Sequence, residues 1–207
     1  MKQIIILCLL LLLFGISSAK TGIEIGLTGN SGWTSNKYLE DPDGWGFFIA
    51  KSLSQNVTVR FSFDRFSKDT RYYGVMQFGF LLPNPDTTRE FIATEARVHF
   101  YELSLHHVIV NGNKMRLDAG GGFGYSKPKL TLYGETTGKT INSADDNKSF
   151  LSFSIDVTVK QFITTPLSLR FGYKYRTISS GALATDIFYA FDEISLSNVN
   201  INLILRL

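Results

Sequence analysis

Apolar and polar residues alternate with a period of two along most of the chain beyond its first twenty residues. The last segment shows this most clearly, because Val199, Ile201, Leu203 and Leu205 alternate with Asn200, Asn202 and other residues up to Leu207. Successive side chains of a β-strand point to opposite faces, so such a segment has one apolar and one more polar face. The pattern predicts strands, and no helical spacing accounts for it.

The alternation recurs in eight segments and predicts eight strands. They cover residues 22–28, 45–53, 57–64, 95–109, 115–125, 150–160, 166–176 and 195–207. The connections alternate between short links and long links of 15 to 28 residues. Short turns at one end and long loops at the other are typical of a bacterial outer-membrane barrel. The sequence therefore predicts an all-β fold, an eight-stranded antiparallel up-and-down transmembrane β-barrel.

One segment does not fit the count of eight. Residues 72–81 look like a strand, and Pro83 and Pro85 follow them. We interpret residues 71–100 as a hairpin that extends the barrel wall outside the membrane. A ten-stranded barrel is the alternative, because bacterial barrels of this type have an even number of strands.

The chain begins with the pattern of an export signal. Lys2 precedes an apolar run at residues 4–16, and the small residues Ser17 and Ala19 occupy the −3 and −1 positions of a cleavage site. This pattern predicts a Sec signal peptide at residues 1–19. The apolar run is 13 residues long, whereas a membrane-spanning helix needs roughly 20. We expect the barrel domain to cover residues 20–207.

The charged residues of the predicted strands fall on their more polar faces, among glycines. A soluble, lipocalin-like barrel turns its apolar face inward around a ligand, whereas a membrane barrel turns it outward to lipid. Seven basic and five acidic side chains can pair inside a narrow barrel, where an unpaired ion is costly. The predicted interior charge network consists of Glu24, Arg60, Asp64, Glu102, Arg116, Asp118, Asp156, Lys160, Arg170, Lys174, Arg176 and Arg206. A soluble barrel with these residues in water is the alternative.

Aromatic residues gather at one end of the predicted strands. If the first strand runs outward, this end is the outer rim, where membrane barrels carry an interfacial aromatic girdle. Aromatic residues also favour strands in general, but their clustering at one end favours the girdle. Its predicted members are Trp45, Phe47, Phe61, Phe63, Phe123, Tyr125, Tyr173 and Tyr175.

The composition of the chain argues against several other classes of protein. Charged residues make up 19% of the chain, below the usual figure of about 25%, which argues against intrinsic disorder. The net charge of +3 is too weak to indicate nucleic-acid binding. The single cysteine, Cys8, lies in the predicted signal peptide, which excludes a disulfide framework and a cysteine zinc site. With three histidines we predict neither a transition-metal site nor a cofactor.

These features together resemble the small outer-membrane β-barrel proteins of the OmpA-transmembrane and OmpX type, over nearly all of residues 20–207. The resemblance rests on the signal peptide, on residues 101–105 and 119–125 around a short turn, and on the alternating C-terminal strand. Proteins of this type commonly end on Phe, whereas this chain ends on Leu207. The resemblance implies Sec export to the outer membrane, insertion by the barrel-assembly machinery, and contact with outer-membrane lipid and lipopolysaccharide.

Three polar residues raise the question of catalysis. Glu102, Ser104 and His106 alternate, so they share one strand face, and Ser, His and a carboxylate can form a catalytic triad. Lipid A deacylases are barrels of this size, but there the His precedes the Ser by two residues and faces lipid. Steps of roughly 7 Å along one strand also exceed hydrogen-bond reach for the backbone positions alone. We interpret the trio as part of an interior polar network.

The predicted function is that of a non-enzymatic barrel with a plugged polar interior. Long loops are usually functional, so we expect it to act through its extracellular loops, in adhesion, surface interaction or envelope integrity. Lysines 127, 129, 139 and 148 of the third loop are candidates for contact with lipopolysaccharide. The alternatives are a small channel, which the narrow interior of eight strands disfavours, a lipid-modifying enzyme, and a soluble lipocalin-like ligand binder.

Overall fold

The computed structural model describes residues 22–34, 41–72, 92–134, 140–144, 150–164, 166–179 and 193–207. Nine strands lie in these ranges: β1 (Ile23–Thr34), β2 (Asp43–Ser52), β3 (Val57–Tyr72), β4 (Ile92–Asn111), β5 (Met115–Gly134), β6 (Thr140–Ala144), β7 (Phe150–Phe162), β8 (Leu167–Ser179) and β9 (Glu193–Arg206). Among the described residues, no helix is long and apolar enough to cross a membrane. The predicted signal peptide lies outside these residues and stays a prediction.

Eight of these strands close into an antiparallel barrel. Each pairs with its neighbour in the chain, except that β5 pairs with β7, and β1 pairs with β9 to complete the ring. The short strand β6 pairs with the far end of β5 and extends the wall there. The eight-stranded prediction is therefore confirmed, and the ten-stranded alternative is wrong for the part of the chain that the structure describes.

The strands are staggered around the ring. We followed the residues that lie directly opposite one another around the ring, starting from Leu169 of β8 and passing first to β9. The path returns to β8 at Ser179, ten residues further along. Such a stagger tilts the strands against the barrel axis, and eight tilted strands enclose an interior just wide enough for side chains to fill.

The two ends of the barrel differ as predicted. Short connections join β2 to β3, β4 to β5 and β7 to β8 at one end, here called the short-turn end. The amide of Gly112 donates to the carbonyl of Met115 (2.9 Å) in the tightest of these turns. Both ends of the described chain also meet here, since Leu207 donates to the carbonyl of Ile23 (2.9 Å). The opposite, long-loop end carries the longer connections.

Several strands reach further towards the long-loop end than their sequence pattern predicts. The pairing of β3 with β4 continues to Tyr72 opposite Ile92, so the wall does extend there, while residues 73–91 lie outside the described ranges. Strand β5 continues to Gly134, which places Lys127 and Lys129 on a strand. Their assignment to a loop was therefore wrong. Lysines 139 and 148 lie outside the described residues.

The apolar face of the barrel points outward over most of its height. Leu27 and Ile155 are 66% and 67% exposed, and Phe123 is 60% exposed. Charged and polar side chains on the same strands are buried inside. This arrangement is the reverse of a lipocalin-like barrel, whose interior is apolar, and it contradicts the soluble alternative.

Candidate functional site

The barrel interior holds a network of buried charged side chains and is the candidate site, in which Arg176 contacts two carboxylates. This side chain is 1% exposed. Its guanidinium forms an ion pair with Asp64, donates from Nε to Oε2 of Glu102 (3.4 Å) and donates from Nη1 to Oδ1 of Asn198 (2.8 Å). Lys174 donates from Nζ to Oε1 of the same Glu102 (2.6 Å). Two carboxylates and two cations therefore neutralise each other in a buried cluster, as the cost of burying charge demands.

A second ion cluster lies towards the short-turn end. Glu24 accepts from Lys160, and Nη2 of Arg170 lies 3.3 Å from its Oε2. Between the two clusters, Nη1 of Arg60 lies 3.4 Å from Oδ2 of Asp156. Where the outward face is apolar, charged side chains thus occupy most of the height of the interior, and cations lie in contact with anions.

Ten of the twelve predicted interior residues are buried in the structure. Arg116 is half-buried and donates to Oδ1 of Asp118 (2.6 Å) and to Oγ1 of Thr58 (3.2 Å). Arg206 is the exception, because it is exposed. It is the last residue of β9 at the short-turn rim, where the wall no longer encloses its side chain, so its assignment to the interior network is corrected.

Apolar side chains close the interior at the long-loop end, which the sequence pattern does not predict. This apolar plug consists of Phe66, Ala96, Val98, Phe100, Ile178 and Leu196. The rings of Phe66 and Phe100 pack edge to face with centroids 5.9 Å apart. The guanidinium of Arg176 lies over both rings, 5.6 and 4.9 Å from their centroids, so the plug and the charge network form one packed unit.

A smaller apolar cluster lies nearer the short-turn end, where Phe48 packs with Ala50 and Ile204. The guanidinium groups of Arg60 and Arg170 lie 5.0 and 5.2 Å from the centroid of the Phe48 ring. Cations over an aromatic face are attracted by its quadrupole. This ring therefore stabilises two buried guanidinium groups, in addition to their carboxylate partners.

The interior also contains a serine, a histidine and a carboxylate in contact. Oγ of Ser104 lies 2.9 Å from Nε2 of His106, and Nδ1 of His106 lies 3.3 Å from Oδ1 of Asp156. Nδ1 of His106 and Oδ1 of Asp156 do not meet hydrogen-bond geometry. Gly120 permits this approach, because a Cβ there would lie 2.5 Å from Nδ1 of His106. The carboxylate is thus Asp156 and not Glu102, which pairs with Lys174 instead.

This trio lies in a closed environment. Ser104, His106 and Asp156 are each no more than 3% exposed. The cavity that touches Asp156 has a volume of about 20 Å³, which is room for about one water molecule. A triad needs space for an acyl group beside the serine, and this cavity does not supply it. The contacts fit a structural polar network.

We expect Ser104 to be unreactive in the folded barrel. A fluorophosphonate probe, which labels activated serines, should not modify the folded protein, and Ser104→Ala should leave the probe signal unchanged. Labelling that is lost in Ser104→Ala would show that the trio is an accessible catalytic site. Ser54, an exposed serine in the short β2–β3 turn, provides the control variant Ser54→Ala.

A larger cavity of about 250 Å³ opens at the short-turn end, lined in part by Lys160, Phe162, Ser168 and Arg206. Lys160 is already paired with Glu24. Within the described ranges, no group of three or more His, Cys, Asp or Glu side chains is placed to hold a metal ion. Neither feature identifies a ligand.

Aromatic side chains on the outward face form a ladder across β2 to β5. Phe63 contacts the rings of Trp45, Phe47 and Tyr101, with centroids 5.7, 5.5 and 5.1 Å apart, and Tyr101 stacks on Tyr125 at 4.7 Å. We call these five residues the aromatic ladder. Four were predicted girdle members, and Tyr101 was missed because its segment alternates less regularly.

The other predicted girdle residues also lie on outward faces. Phe123, Tyr173 and Tyr175 are exposed, and Phe61 is half-buried. Tyr173 lies 6.1 Å from Trp33 between ring centroids. Trp33 was missed because the predicted first strand ended at residue 28, whereas β1 continues to Thr34.

Comparison with known proteins supports the fold. No family model matches the chain, and no curated protein matches it. Among solved structures, it is similar to a major outer membrane protein from Thermus thermophilus (TM-score 0.57, 10% identity, 91% of this chain and 100% of that one). It is also similar to Ail, the attachment invasion locus protein of Yersinia pestis (0.53, 13%, 90% and 97%), and to Neisserial surface protein A (0.52, 8%, 92% and 99%). The chain therefore has the fold of the small bacterial outer-membrane β-barrels of the OmpA and OmpX type.

Proposed function

We propose that this protein is a non-enzymatic barrel of the outer membrane with a sealed interior, which acts through its long-loop end. This proposal rests on one observation, which is that the outward and inward faces exchange apolar and charged character along the barrel axis. Over most of the height the outward face is apolar and the inward face is charged, as lipid on the outside requires. The proposal includes Sec export and insertion by the barrel-assembly machinery.

Beyond the aromatic ladder the faces exchange their character. The inward residues Phe66, Val98 and Phe100 are fully buried, while the outward positions between them hold Arg65, Arg97 and His99. An apolar interior with a charged exterior is the arrangement of a wall surrounded by water. The change of pattern supports a membrane boundary at the ladder, with the long-loop end outside the cell.

The packed interior favours a sealed barrel over a channel. Ion pairs fill the middle, and the apolar plug closes the long-loop end. An eight-stranded barrel has little room beyond its side chains, and the cavity within the charge network measures about 20 Å³. We therefore expect the protein inserted in a planar lipid bilayer to give no steady ionic current. A stable, ohmic conductance that disappears when the protein is boiled would contradict the sealed interior.

The long-loop end is then the surface available for interaction. The structurally similar Yersinia protein is named for attachment and invasion, and the Neisserial one is a surface protein. By this analogy of fold, we propose surface interaction, adhesion or envelope integrity as the role. Contact with outer-membrane lipid and lipopolysaccharide is part of the same proposal.

The experiment that tests the proposal is cell fractionation followed by a detergent gel with unheated and boiled samples. Closed membrane barrels resist detergent until they are heated, so the folded and boiled forms should migrate differently. We expect the protein in the outer-membrane fraction with a heat-dependent shift. Release as a soluble periplasmic protein without a shift would contradict the proposed location.

A further inference from the structure

Directly beyond the aromatic ladder, basic side chains form rows across the outward face of three strands. Arg65, His99 and Lys127 are direct partners across β3, β4 and β5, and in the next row Arg97 is opposite Lys129. Neighbouring strands lie about 4.8 Å apart, so the first row spans about 10 Å. We call Arg65, Arg97, His99 and Lys127 the cationic patch.

The charges of the patch act on one another. Partial burial, and then the positive charges of Arg65, Arg97 and Lys127, hold the pKa of His99 below its ordinary value. The positive charges of three side chains therefore act on the imidazole of His99. Because Arg65, His99 and Lys127 are direct partners across neighbouring strands, their side chains lie close together on one part of the outward face.

Acidic side chains lie around the patch, but among the described residues none belongs to the first row. Asp69 lies opposite Glu95 two rows beyond the first row, and Glu95 forms an ion pair with Arg97 of the second row. On the neighbouring strand β2, Asp43 lies opposite Ser67 of β3. Across β3 to β5 the order along the barrel axis is therefore aromatic rings, then basic residues, then acids.

This order matches the layers of a lipid surface. Aromatic belts lie at the headgroup level of a membrane, and the phosphate groups of lipids are found at the same level. The ring of His99 lies 5.8 Å from that of Phe63 between centroids, so patch and ladder adjoin. Arginine and lysine are the side chains that bind phosphate oxygens through charge-assisted hydrogen bonds.

We propose that the cationic patch binds the phosphate groups of a lipid of the outer leaflet, whose acyl chains lie against the aromatic ladder. The proposal rests on the proposed function, because it requires the wall below the patch to lie in a membrane. It assigns a lipid contact to the strand-borne Arg65, Arg97, His99 and Lys127, which lie on the barrel wall and not in the loops.

The test is binding of bis-phosphorylated lipid A to the folded full-length barrel in neutral detergent, measured by native mass spectrometry. We expect Arg65→Gln with Lys127→Gln to weaken binding about thirtyfold, since each basic residue near an anionic lipid surface contributes about 1 kcal/mol. The matched control is Lys114→Gln with Arg206→Gln, which removes two exposed cations at the short-turn end. We expect the control to bind like the parent.

Three comparisons decide the outcome. Lipid A without phosphate groups should bind at least tenfold more weakly, and inorganic phosphate at millimolar concentration should not compete, because the acyl chains contribute to binding. Added salt should weaken binding, since exposed charges are screened. Three results would each overturn the proposal. The Arg65/Lys127 variant could bind lipid A as tightly as the parent, the control variant could lose as much binding as the Arg65/Lys127 variant, or phosphate-free lipid could bind as tightly as lipid A.

The two proposals fail in different ways. A heat-dependent gel shift of every variant shows that the barrel is folded, so a loss of lipid binding with an intact shift concerns the patch alone. Parent protein that folds and shifts but does not bind lipid A overturns the patch and leaves the barrel proposal intact. Parent protein that is released as a soluble species overturns both.

Discussion

Replacing Arg176 with Met is expected to destabilise the folded barrel by about 3–5 kcal/mol. The substitution keeps a long apolar stem but removes the charge that Asp64 and Glu102 share. Asp64 then retains Asn30, whose Nδ2 donates to its Oδ1 (3.0 Å), but no cation. A buried carboxylate without a cation is costly, because the interior does not solvate it as water does.

The measurement is urea-induced unfolding of the refolded barrel in detergent micelles, followed by tryptophan fluorescence. Arg206→Met is the matched control, because Arg206 is exposed and outside the buried network, and we expect it to change stability by less than about 0.5 kcal/mol. Combining Arg176→Met with Asp64→Asn should recover part of the loss, since the second change removes the orphaned charge. A loss below about 1 kcal/mol for Arg176→Met would show that the network is solvated.

Replacing Gly124 with Val is expected to prevent the closure of the barrel between β4 and β5. A Cβ at this position would lie 1.9 Å from the backbone carbonyl oxygen of Tyr101 and 2.8 Å from Cα of Glu102. Backbone atoms in a paired sheet cannot move aside as a flexible side chain can. Overpacking of a filled interior costs about 1–3 kcal/mol or more, and here it also separates Glu102 from its cations.

Gly29→Val is the matched control for this substitution. Gly29 lies in β1, and a Cβ there would meet no atom within 4 Å. We expect the Gly29 variant to retain the heat-dependent gel shift of the parent protein and the Gly124 variant to migrate as unfolded protein before boiling. If both variants fold equally well, the close approach of β4 and β5 at Gly124 is not a structural requirement.

The strand pattern of the part with an apolar outward face could be predicted from the sequence because its two faces differ consistently. Ile155 and Val157 are exposed while Asp156 between them is buried, and alternation of this kind fixes both strand and register. The balance of acidic and basic residues on the polar face also predicted which side chains lie inside. Partner choice, such as Arg176 with Asp64, depends on the stagger of the ring and is not encoded in local spacing.

The outer parts of the strands were underestimated for a physical reason. Beyond the part of the wall whose outward face is apolar, Phe66 and Phe100 point inward and Arg65 and His99 point outward. The alternation continues there, but the apolar residues now lie inside and the charged residues outside. A search for one apolar face therefore ends too early. The approach of His106 to Asp156 was not predicted, because Asp156 lies in β7, a strand far from β4 in sequence.

The central claim is that the outward face lies in lipid with the aromatic ladder at the outer interface, and the chain's two tryptophans test it directly. Trp33 and Trp45 are 47% and 53% exposed on that face. Trp33→Phe leaves Trp45 as the single tryptophan, whose fluorescence is to be measured in vesicles with lipids that carry bromine near the headgroup or near the chain ends.

We predict strong quenching of Trp45 by bromine near the headgroup and weaker quenching by bromine near the chain ends. Interfacial aromatic residues lie at this depth. An unquenched Trp45 in the presence of both lipids, with the protein remaining in solution, would contradict the membrane assignment of the outward face.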